Sequence, residues 1–558
     1  MSRVARIVVA AALAAWPVVA GAQTRGVSAP AAARTDALVQ EALDRYQQGL
    51  QAQQSPEAAM PGLQQLQSGG RRELRMADAV ELALQQNLDI AVERMTPQAV
   101  DLQIAGLRNS YHPVASSTLG QRDQTNPATN QLNGGNSVKN QTTTYNVGLS
   151  QAVPWMGGNF ALSWNNVRQE TNSTFSTFNP SFNTQLTAAY TQPLLRGLFI
   201  DNTRQQLAIT QINREVAEET LRATITSTLA NVRNAYWDLV FARSSVDVAR
   251  RALSLAEKLV EDNKARVEVG TLAPIDVVQA EAEAATRRQT LASAEATLQT
   301  ASLTLKRYIV SGTDDPLWRQ EIVPVDTPSL EPAPSDIEGA VRHALENRTD
   351  LVSARKNLES TDVTIRYFRN QALPALDLNA SYGATGQGGI RTERNGLGGS
   401  ISNVIPGGYG DALSLLANRD FPTWNLSVTM SYPIGGSNSQ AQYARARVQQ
   451  NQSIARLRAL ELQVATEVTN TALTVQSNLK RVEAAGAARE LAQRRLEAEQ
   501  SKFEVGLSTN FFVVQAQRDL ADAENAELRA LADYRKSLVN FERVQEAPGG
   551  GGGGGGSF

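Results

Sequence analysis

Apolar and polar positions follow a helical period through unusually long parts of this chain. From 201 to 269 there is no proline or glycine, and apolar or small residues recur at steps of three and four from Ile225 to Val260. Such a seam predicts a coiled-coil-like helix, which would be about 100 Å long at 1.5 Å per residue. A second helix of this kind is predicted from about Ser439 to Val505.

Four shorter helices are predicted beside these two long ones. They are Met76–Tyr111, Leu272–Tyr308, Asp336–Ala372 and Ser508–Val544. Each has about half the length of a long helix, so two of them placed end to end would match one long helix. Matched lengths predict a wall of parallel helices rather than a compact globular domain.

Between the helices, five segments alternate with the period of two that is typical of β-strands. They are Tyr145–Ser150, Phe160–Trp164, Leu186–Tyr190, Leu376–Tyr382 and Trp424–Tyr432. Aromatic residues lie in or beside them, and the Asn/Gly/Thr-rich segments Asn126–Asn140 and Gly386–Gly410 are predicted loops. Pro193 and Pro433 are predicted to break the chain where a strand ends and a helix follows.

Parts of the sequence occur twice, in the same order. Ala83–Ile90 reappears as Ala344–Leu351, and Val277–Ala280 reappears as Val513–Ala516. A long internal repeat indicates a duplicated architecture. We therefore predict two α-β-α halves, 74–309 and 335–545, with strand regions at about 113–197 and 374–436. A proline-rich extended linker, 310–334, is predicted to join them.

The two ends of the chain have compositions of their own. Arg3 and Arg6 precede a short apolar run, and Ala20-Gly21-Ala22 offers a small-residue cleavage site. Residues 1–22 are therefore predicted to be a secretory signal peptide. Residues 23–73 are predicted to be a mobile leader, and the glycine-rich residues 546–558 a disordered tail.

In a chain that carries an export signal, the strand-like segments have two interpretations. Weak alternation with flanking aromatic residues is typical of an outer-membrane β-barrel, and by itself it fits the edge of a soluble β-sandwich equally well. The signal peptide and the long flanking helices favour the barrel. We predict four strands in each chain, or six if residues 151–183 pair as an inserted hairpin.

Charge and composition exclude several classes of function. The 558 residues have a net charge of −2 and no cysteine, so nucleic-acid binding, disulfides and thiolate metal sites have no support. His112 and His343 lie far apart and are each predicted to cap or end a helix. The carboxylates of Glu281 and Glu283 are predicted to lie on a solvated helix face. No catalytic residues, cofactor or metal site is predicted.

Four strands cannot close a barrel, because the smallest transmembrane barrels have about eight. An open sheet in lipid would leave its edges without hydrogen bonds. Several copies must therefore share one barrel, and three copies give about 12 strands and a lumen that passes water. The predicted fold is mainly α with membrane β: a trimeric protomer with long coiled helices.

Over residues 74–545 the chain resembles the TolC-type outer-membrane efflux family. The matching segments are Ala83–Asp89 with Ala344–Asp350, Tyr190–Leu195, Val267–Leu272 with Asp276–Ala280, and Phe503–Ser508 with Val513–Ala516. The ordered pair of halves carries the resemblance more than any single motif.

The resemblance implies a passive duct of a tripartite efflux or type I secretion system, in the cell outer membrane with a long periplasmic extension. It implies a homotrimer with a 12-stranded barrel in outer-membrane lipid and a periplasmic α-barrel. The implied partners are a periplasmic adaptor (membrane fusion protein) and an inner-membrane pump of RND, ABC or MFS type. Drugs, lipids, glycans and secreted proteins all stay open as substrates.

The resemblance also implies where the adaptor binds. The two periplasmic helix tips correspond to Val269, Gly270, Thr271, Leu272, Val505, Gly506, Leu507 and Ser508. Each glycine has an independent role, since a helix that reverses needs a left-handed residue after its end. Both glycines would terminate helices whether or not an adaptor binds.

A gate residue is implied at the same end. Asp276 occupies an acidic gate position, with Gln279 nearby, whereas Phe512 and Gln515 stand where some members carry carboxylates. Three like charges around a narrow pore would favour cations. The alternative is that Asp276 only complements the dipole of a helix N-terminus.

Two other functions remain as alternatives. A periplasmic adaptor or coiled-coil scaffold would show one helical hairpin flanked by lipoyl-like and small β-domains. This chain instead has two halves with strands between the helices, which argues against that reading. A cell-surface enzyme has no constellation of residues to support it.

Overall fold

The structure is a computed structural model that describes residues 70–128, 136–327, 336–396 and 399–548. The predicted signal peptide, the leader up to 69 and the glycine tail from 549 lie outside the described residues. The chain forms two compact units, and each draws on both sequence halves. The helical unit comprises residues up to 101, 214–356 and from 454 onward, and the sheet unit comprises 102–213 and 357–453.

Ten helices occur in the described ranges. They are α1 Met76–Gln86, α2 Leu88–Asn109, α3 Asn202–Glu268, α4 Pro274–Ile309, α5 Pro316–Arg319, α6 Ile337–Asn347, α7 Thr349–Gln371, α8 Tyr409–Asn418, α9 Asn438–Glu504 and α10 Asn510–Glu546. The two longest helices, α3 and α9, have 67 residues each, and α4 and α10 have 36 and 37. None of these helices combines the length and hydrophobicity needed to cross a membrane.

The predicted helices Met76–Tyr111 and Asp336–Ala372 are each divided in two. Asn87 separates α1 from α2, and Arg348 separates α6 from α7. The Asn87 side chain accepts hydrogen bonds from the backbone N–H groups of Asp89 and Ile90, at 2.9 and 3.1 Å. This contact caps α2 and competes with an uninterrupted helix.

One core of the helical unit lies among α1, α3 and α4. Tyr236 is fully buried there, and its hydroxyl is 3.0 Å from the Leu74 carbonyl and 2.7 Å from the Asp326 carboxylate. Burial and the hydrogen bond to Asp326 raise the pKa of Tyr236 above its ordinary value. The second core lies among α6, α9 and α10 and includes Val468 and Tyr534.

A small parallel sheet corrects two predictions. Strand β1, Arg71–Leu74, pairs with β6, Glu321–Pro324. The end of the predicted mobile leader is therefore ordered, and so is the described part of the predicted linker. Burial gives the reason, because Leu74, Leu317 and Ile322 all pack into the first core. Residues 328–334 of the predicted linker lie outside the described ranges.

The sheet unit contains one antiparallel sheet of seven strands. Its members are β2 Val114–Pro127, β3 Ser137–Ala152, β4 Asn159–Thr171, β5 Phe178–Pro193, β7 Ala375–Arg394, β8 Ile401–Ile405 and β9 Phe421–Ser431. The order is β2-β3-β4-β5-β7-β8, and β9 pairs with the first part of β7. Pro193 is the last residue of β5, and Pro433 follows the end of β9.

The count of four strands is therefore too low, and the alternative of six strands agrees with the six long strands of this sheet, while the short β8 was not predicted. All five predicted segments lie in or at the end of strands, but β2 was not predicted, because its sequence is mostly polar. Residues 151–183 pair in the sheet, as the alternative prediction required, and they form the end of β3, all of β4 and the start of β5.

The strand register separates the sheet into an apolar and a polar face. On the apolar face, Val147 pairs with Trp164, and Trp164 pairs with Leu186. The neighbouring positions on the polar face include the pair Ser381 and Asn425. Because side chains alternate along every strand, this register places the apolar residues of successive strands side by side.

The predicted loop Gly386–Gly410 is also corrected. Strand β7 continues to Arg394, and α8 packs over its glycines. A Cβ at Gly386 would overlap the Ala412 carbonyl, and one at Gly388 would overlap the Gly408 carbonyl. Here the glycines permit the close approach of a helix to a strand.

Candidate functional site: the two helix tips

The first helix tip joins α3 to α4. Gly270 has φ +77°, in the left-handed region. Its N–H donates to the Val267 carbonyl at 3.0 Å, and the Thr271 N–H donates to the Arg266 carbonyl at 2.9 Å. These two bonds form a Schellman motif, which satisfies the last carbonyls of the helix and reverses the chain.

The second tip joins α9 to α10 in the same way. Gly506 has φ +77°. Its N–H donates to the Phe503 carbonyl at 3.2 Å, and the Leu507 N–H donates to the Lys502 carbonyl at 2.8 Å. No heavy atom lies within 4 Å of a Cβ built on either tip glycine. Backbone conformation, and not lack of space, therefore requires glycine at both tips.

Apolar side chains project into solvent at both tips. Val269 is 73% exposed, Val505 is 70% exposed and Leu507 is 80% exposed. Ile275 and Phe511, in the first turns of α4 and α10, are also exposed. We call these five residues the tip surface. Exposed apolar residues that cluster in this way are typical of a protein–protein contact.

Each pair of helices joined at a tip, α3 with α4 and α9 with α10, forms a helical hairpin. Buried amides connect the two helical hairpins just behind the tip surface. Asn263 of α3 and Asn510 of α10 are both buried. The Asn263 amide donates to the Asn510 side-chain oxygen at 3.0 Å, and the Asn510 amide donates to the Asp276 carbonyl at 3.2 Å. Paired polar groups at buried positions fix the register of neighbouring helices.

A second contact joins α3 to α9 near the same place. The guanidinium of Arg266 lies 4.6 Å from the centre of the Phe503 ring and donates to the Phe503 carbonyl at 3.3 Å. The ring itself packs in a small apolar cluster with Leu259 and Val513. A cation over an aromatic face adds attraction to the apolar contact.

Glu283 of α4 corrects the prediction of a solvated face. Its side chain is buried and receives hydrogen bonds from Arg287 at 2.7 Å and from Arg518 of α10 at 2.9 Å. Burial alone would raise the pKa of Glu283, but the hydrogen bonds and charges of the two arginines outweigh burial and lower it. Glu283 is therefore ionised at neutral pH and ties α4 to α10. Glu281 is exposed, as predicted.

The predicted gate residues have separate surroundings. Asp276 is half-buried in the first turn of α4, where its carbonyl meets Asn510. Gln279 is exposed, and Phe512 stacks edge-on against Phe511 with ring centres 5.6 Å apart.

Gln515 donates to the Asp519 carboxylate at 2.8 Å. Among the described contacts, the structure thus brings Asp276 to Asn510 and does not join it to Gln515. Of the other predicted tip residues, the hydroxyl of Thr271 donates to the Arg266 carbonyl and that of Ser508 to Glu499.

The two histidines occupy different positions relative to their helices. His112 follows the end of α2, and its N–H donates to the Asn109 carbonyl. His343 lies inside α6, so the prediction that it caps or ends a helix is wrong. In the described part of the chain, no group of three or more His, Asp or Glu side chains could hold a metal ion.

Sequence reasoning missed three contributors to this site, and two of them had a signal. Asn263 continues the apolar seam of α3 three residues after Val260, so a polar residue stood at a core position. Glu283 precedes Arg287 by four residues, the spacing of an ion pair on one helix face. The role of Asn510 had no such signal, because its partners lie on other helices.

The family profile of outer membrane efflux proteins matches residues 151–309 and 340–544 of this chain. The chain belongs to the outer membrane efflux protein family. Both helix tips lie within the matched residues. This membership makes the protein an outer-membrane efflux protein and not an enzyme, and it decides against the periplasmic scaffold as an alternative.

Two curated relatives are similar over part of their length. The pyoverdine export outer membrane protein OpmQ of Pseudomonas aeruginosa is 23% identical over 62% of this chain and 66% of its own. The cobalt-zinc-cadmium resistance protein CzcC of Cupriavidus metallidurans is 26% identical over 31% of this chain and 39% of its own. The chain therefore matches less than two thirds of either relative.

A solved structure shares the fold. The CmeC outer membrane channel of Campylobacter jejuni superposes with a TM-score of 0.61 at 14% identity, over 88% of this chain and 93% of that channel. At this level of identity the likeness concerns the fold alone.

Proposed function

We propose that this efflux protein is the passive outer-membrane duct of a tripartite efflux or type I secretion system. An inner-membrane pump would supply the energy, and a periplasmic adaptor would join pump and duct. The observation that carries the proposal is the family match across both helical hairpins, each of which ends in the same exposed tip. The cargo is not fixed by the relatives, since one is named for pyoverdine and the other for cobalt, zinc and cadmium.

We infer that the working form is a homotrimer. Its sheet units lie in the outer membrane and together close a barrel, and its helical units extend into the periplasm. The two faces of the sheet support this arrangement, because lipid requires an apolar face and an aqueous lumen a polar one. An unclosed sheet would leave backbone groups of its edges without partners in lipid.

The tip surface is the proposed docking site for the adaptor. Val269, Val505 and Leu507 are the most exposed apolar residues of the two turns, and nothing in the helical unit covers them among the described residues. Apolar anchors of this kind commonly supply most of the energy of a protein–protein contact. The buried amides and the Glu283 ion pairs hold the two hairpins that present these residues.

The test is a double substitution, Val269→Ser with Leu507→Ser. In the native host, a panel of dyes, detergents and metal salts first identifies a compound whose tolerance falls when the gene is deleted. We expect the double variant to lose most of that tolerance while the amount of protein in the outer membrane stays the same. Leu462→Ser, at an equally exposed residue of α9 away from the tips, is the control. Full tolerance in the double variant would contradict adaptor docking at the tips.

The proposed gate is tested separately. Three copies of Asp276 around a narrow opening would attract cations. We expect Asp276→Asn to shift the reversal potential of the purified protein in planar bilayers toward lower cation preference under a salt gradient. An unchanged reversal potential would contradict the gate role and would leave the interaction with the dipole of α4 as the role of Asp276.

A further inference from the structure

The sheet has two edges that lack a partner strand within the described chain. One edge is β2, and the other is β9, which pairs only with β7. The exposure of matched side chains shows the gap. Trp424 on β9 is 74% exposed, whereas Trp164 on the interior strand β4 is 37% exposed. Leu119 on β2 is 75% exposed, against 39% for Leu149 on β3.

Six of the seven strands are long enough to form a membrane wall. Strand β8 has five residues, and the other six have 11 to 20 residues. A transmembrane strand needs about 9–11 residues. Strand β8 pairs with the end of β7 beyond the part that β9 covers, so it adds no seventh strand at any level of the sheet.

The interior strands carry the same two faces as the edge strands. Leu162 of β4 lies on the apolar face and Ser163 on the polar face, as Leu426 and Asn425 do on β9. A hairpin that folded into a lumen would have no reason to keep an apolar face. Strands β3 and β4 therefore have the pattern of wall strands.

The two free edges also run in suitable directions. All neighbouring strands of this sheet are antiparallel, so with six long strands in order, β2 and β9 run in opposite directions. A rotation that places copies side by side sets β9 of one copy antiparallel to β2 of the next. Head-to-tail contacts of this kind close into a ring.

We propose that β2 of each copy pairs with β9 of its neighbour, so that three copies close a barrel of 18 strands rather than 12. The proposal rests on the trimer of the proposed function and takes its strand number from the sheet. A second copy of this chain is the occupant of each edge, because the apolar and polar faces continue across that contact. The barrel is therefore incomplete in a single chain.

The strand number sets the width of the pore. With strands about 4.8 Å apart and tilted by about 40°, a 12-stranded barrel is about 24 Å across between backbones. Eighteen strands give about 36 Å, since the diameter grows in proportion to strand number. Barrels of 16–18 strands enclose an open aqueous channel. We therefore expect a wide barrel lined by Ser, Thr and Asn side chains.

The first experiment uses the full-length protein purified in detergent. Native mass spectrometry counts the copies, and electron cryo-microscopy measures the barrel. We expect three copies and a diameter of about 36 Å. Three copies with a barrel of about 24 Å would overturn the 18-stranded barrel and leave the trimeric duct intact. Two copies around a 12-stranded barrel would overturn both the inference and the proposed trimer.

A second experiment tests the wall position of β4 and uses the absence of native cysteine. Single variants Leu162→Cys, Ser163→Cys, Leu426→Cys and Asn425→Cys are inserted into lipid vesicles and treated with a water-soluble maleimide. We expect the two serine and asparagine positions to react at least about tenfold faster than the two leucine positions, because lipid covers the apolar face. Equal reaction at residues 162 and 163, with the expected difference on β9, would remove β4 from the wall.

A third experiment tests the edge contact itself. Asn425→Cys is combined in turn with Ser116→Cys, Thr118→Cys or Arg122→Cys, all on the polar face of β2. At least one pair should give dimers and trimers after oxidation and denaturing electrophoresis without reductant. Gly148→Cys with Ser163→Cys, which face each other within one chain, is the control and should give monomers only. Monomers alone in all three double variants that contain Asn425→Cys would overturn the pairing of β2 with β9.

Discussion

The junctions that divide α1 from α2 and α6 from α7 have the same backbone and different chemistry. Asn87 has φ −64° and ψ 126°, and Arg348 has φ −64° and ψ 128°. The N–H of each donates at 3.0 Å to the carbonyl four residues earlier, in Ala83 or Ala344. The backbone of the junction is therefore the same in both halves.

The two side chains stabilise that backbone by different means. Asn87 caps α2 and donates to the Tyr308 carbonyl at 3.0 Å. Arg348 is buried as a charge and contacts Asp350 at 3.0 Å, Glu467 at 2.7 Å and the Val544 carbonyl at 3.1 Å. The geometry of a turn can thus persist while a neutral cap is exchanged for a buried ion network.

The helix tips and the strand regions extend this comparison. The tips have equal φ values at Gly270 and Gly506 and the same pair of hydrogen bonds. The strand regions differ, with four strands in the first half and three in the second. Features fixed by local backbone geometry are thus alike in both halves, and features fixed by pairing with distant chain are not.

The largest difference between the halves should come from Arg348. Arg348→Met keeps most of the volume but leaves Asp350 and Glu467 without their buried partner, and we expect a loss of about 3 kcal/mol. Asn87→Ala, the matched change in the first half, should lose about 1 kcal/mol, the usual contribution of a helix cap. Urea denaturation followed by far-ultraviolet circular dichroism measures both. Equal losses would show that the two junctions depend on backbone geometry alone.

The ion pairs of Glu283 should give the next largest effect. By the offset that relates Gly270 to Gly506, Glu283 corresponds to Asp519, which pairs with Arg495 at 2.7 Å in an exposed position. We expect Glu283→Gln to lose about 2 kcal/mol in the same denaturation experiment, because two arginines lose a buried partner. Asp519→Asn should lose less than about 1 kcal/mol, as exposed pairs do.

The ion pairs of Glu283 should also make the stability of the protein depend on pH. The pKa of Glu283 is lowered in the folded protein, so its contribution is complete above its unfolded value of 4.5 and is lost as pH falls through the folded value. Denaturation of the native chain at several pH values should show this loss below about pH 4.5. In the Glu283→Gln variant, this part of the loss of stability at low pH should be absent. A pH profile that does not change on substitution would assign the acid sensitivity to other groups.

The tip glycines should give the smallest and most equal effects. Gly270→Ala and Gly506→Ala each place a Cβ in a left-handed conformation, at a cost of about 1–2 kcal/mol. Since neither Cβ would meet a neighbour within 4 Å, the two losses should agree closely. Asparagine at either position should lose less, because it tolerates this conformation better. Losses that differ by more than about 1 kcal/mol would break the equivalence of the tips.

The long helices and the positions of their tips could be predicted from the amino-acid sequence. An apolar seam of period three to four needs no knowledge of distant contacts, and a glycine after a long helix predicts a reversal from backbone sterics alone. The five alternating segments were found for the same reason. The position of His343 inside a helix and the helix breaks at Asn87 and Arg348 were not predicted. The reason is that capping competes with helix propagation at single residues.

Contacts between residues that are distant in sequence could not be predicted in this way. Strand β2 is too polar to identify from its own pattern, and it is a strand because of its long register with β3. The glycines of β7 indicated a loop until α8 was seen against them. Asn510 and Arg518 gained their roles from helices far away in sequence. Local periodicity depends on neighbouring residues in the sequence. Strand pairing and ion pairs depend on which distant segments come into contact, and this is fixed only when the chain folds.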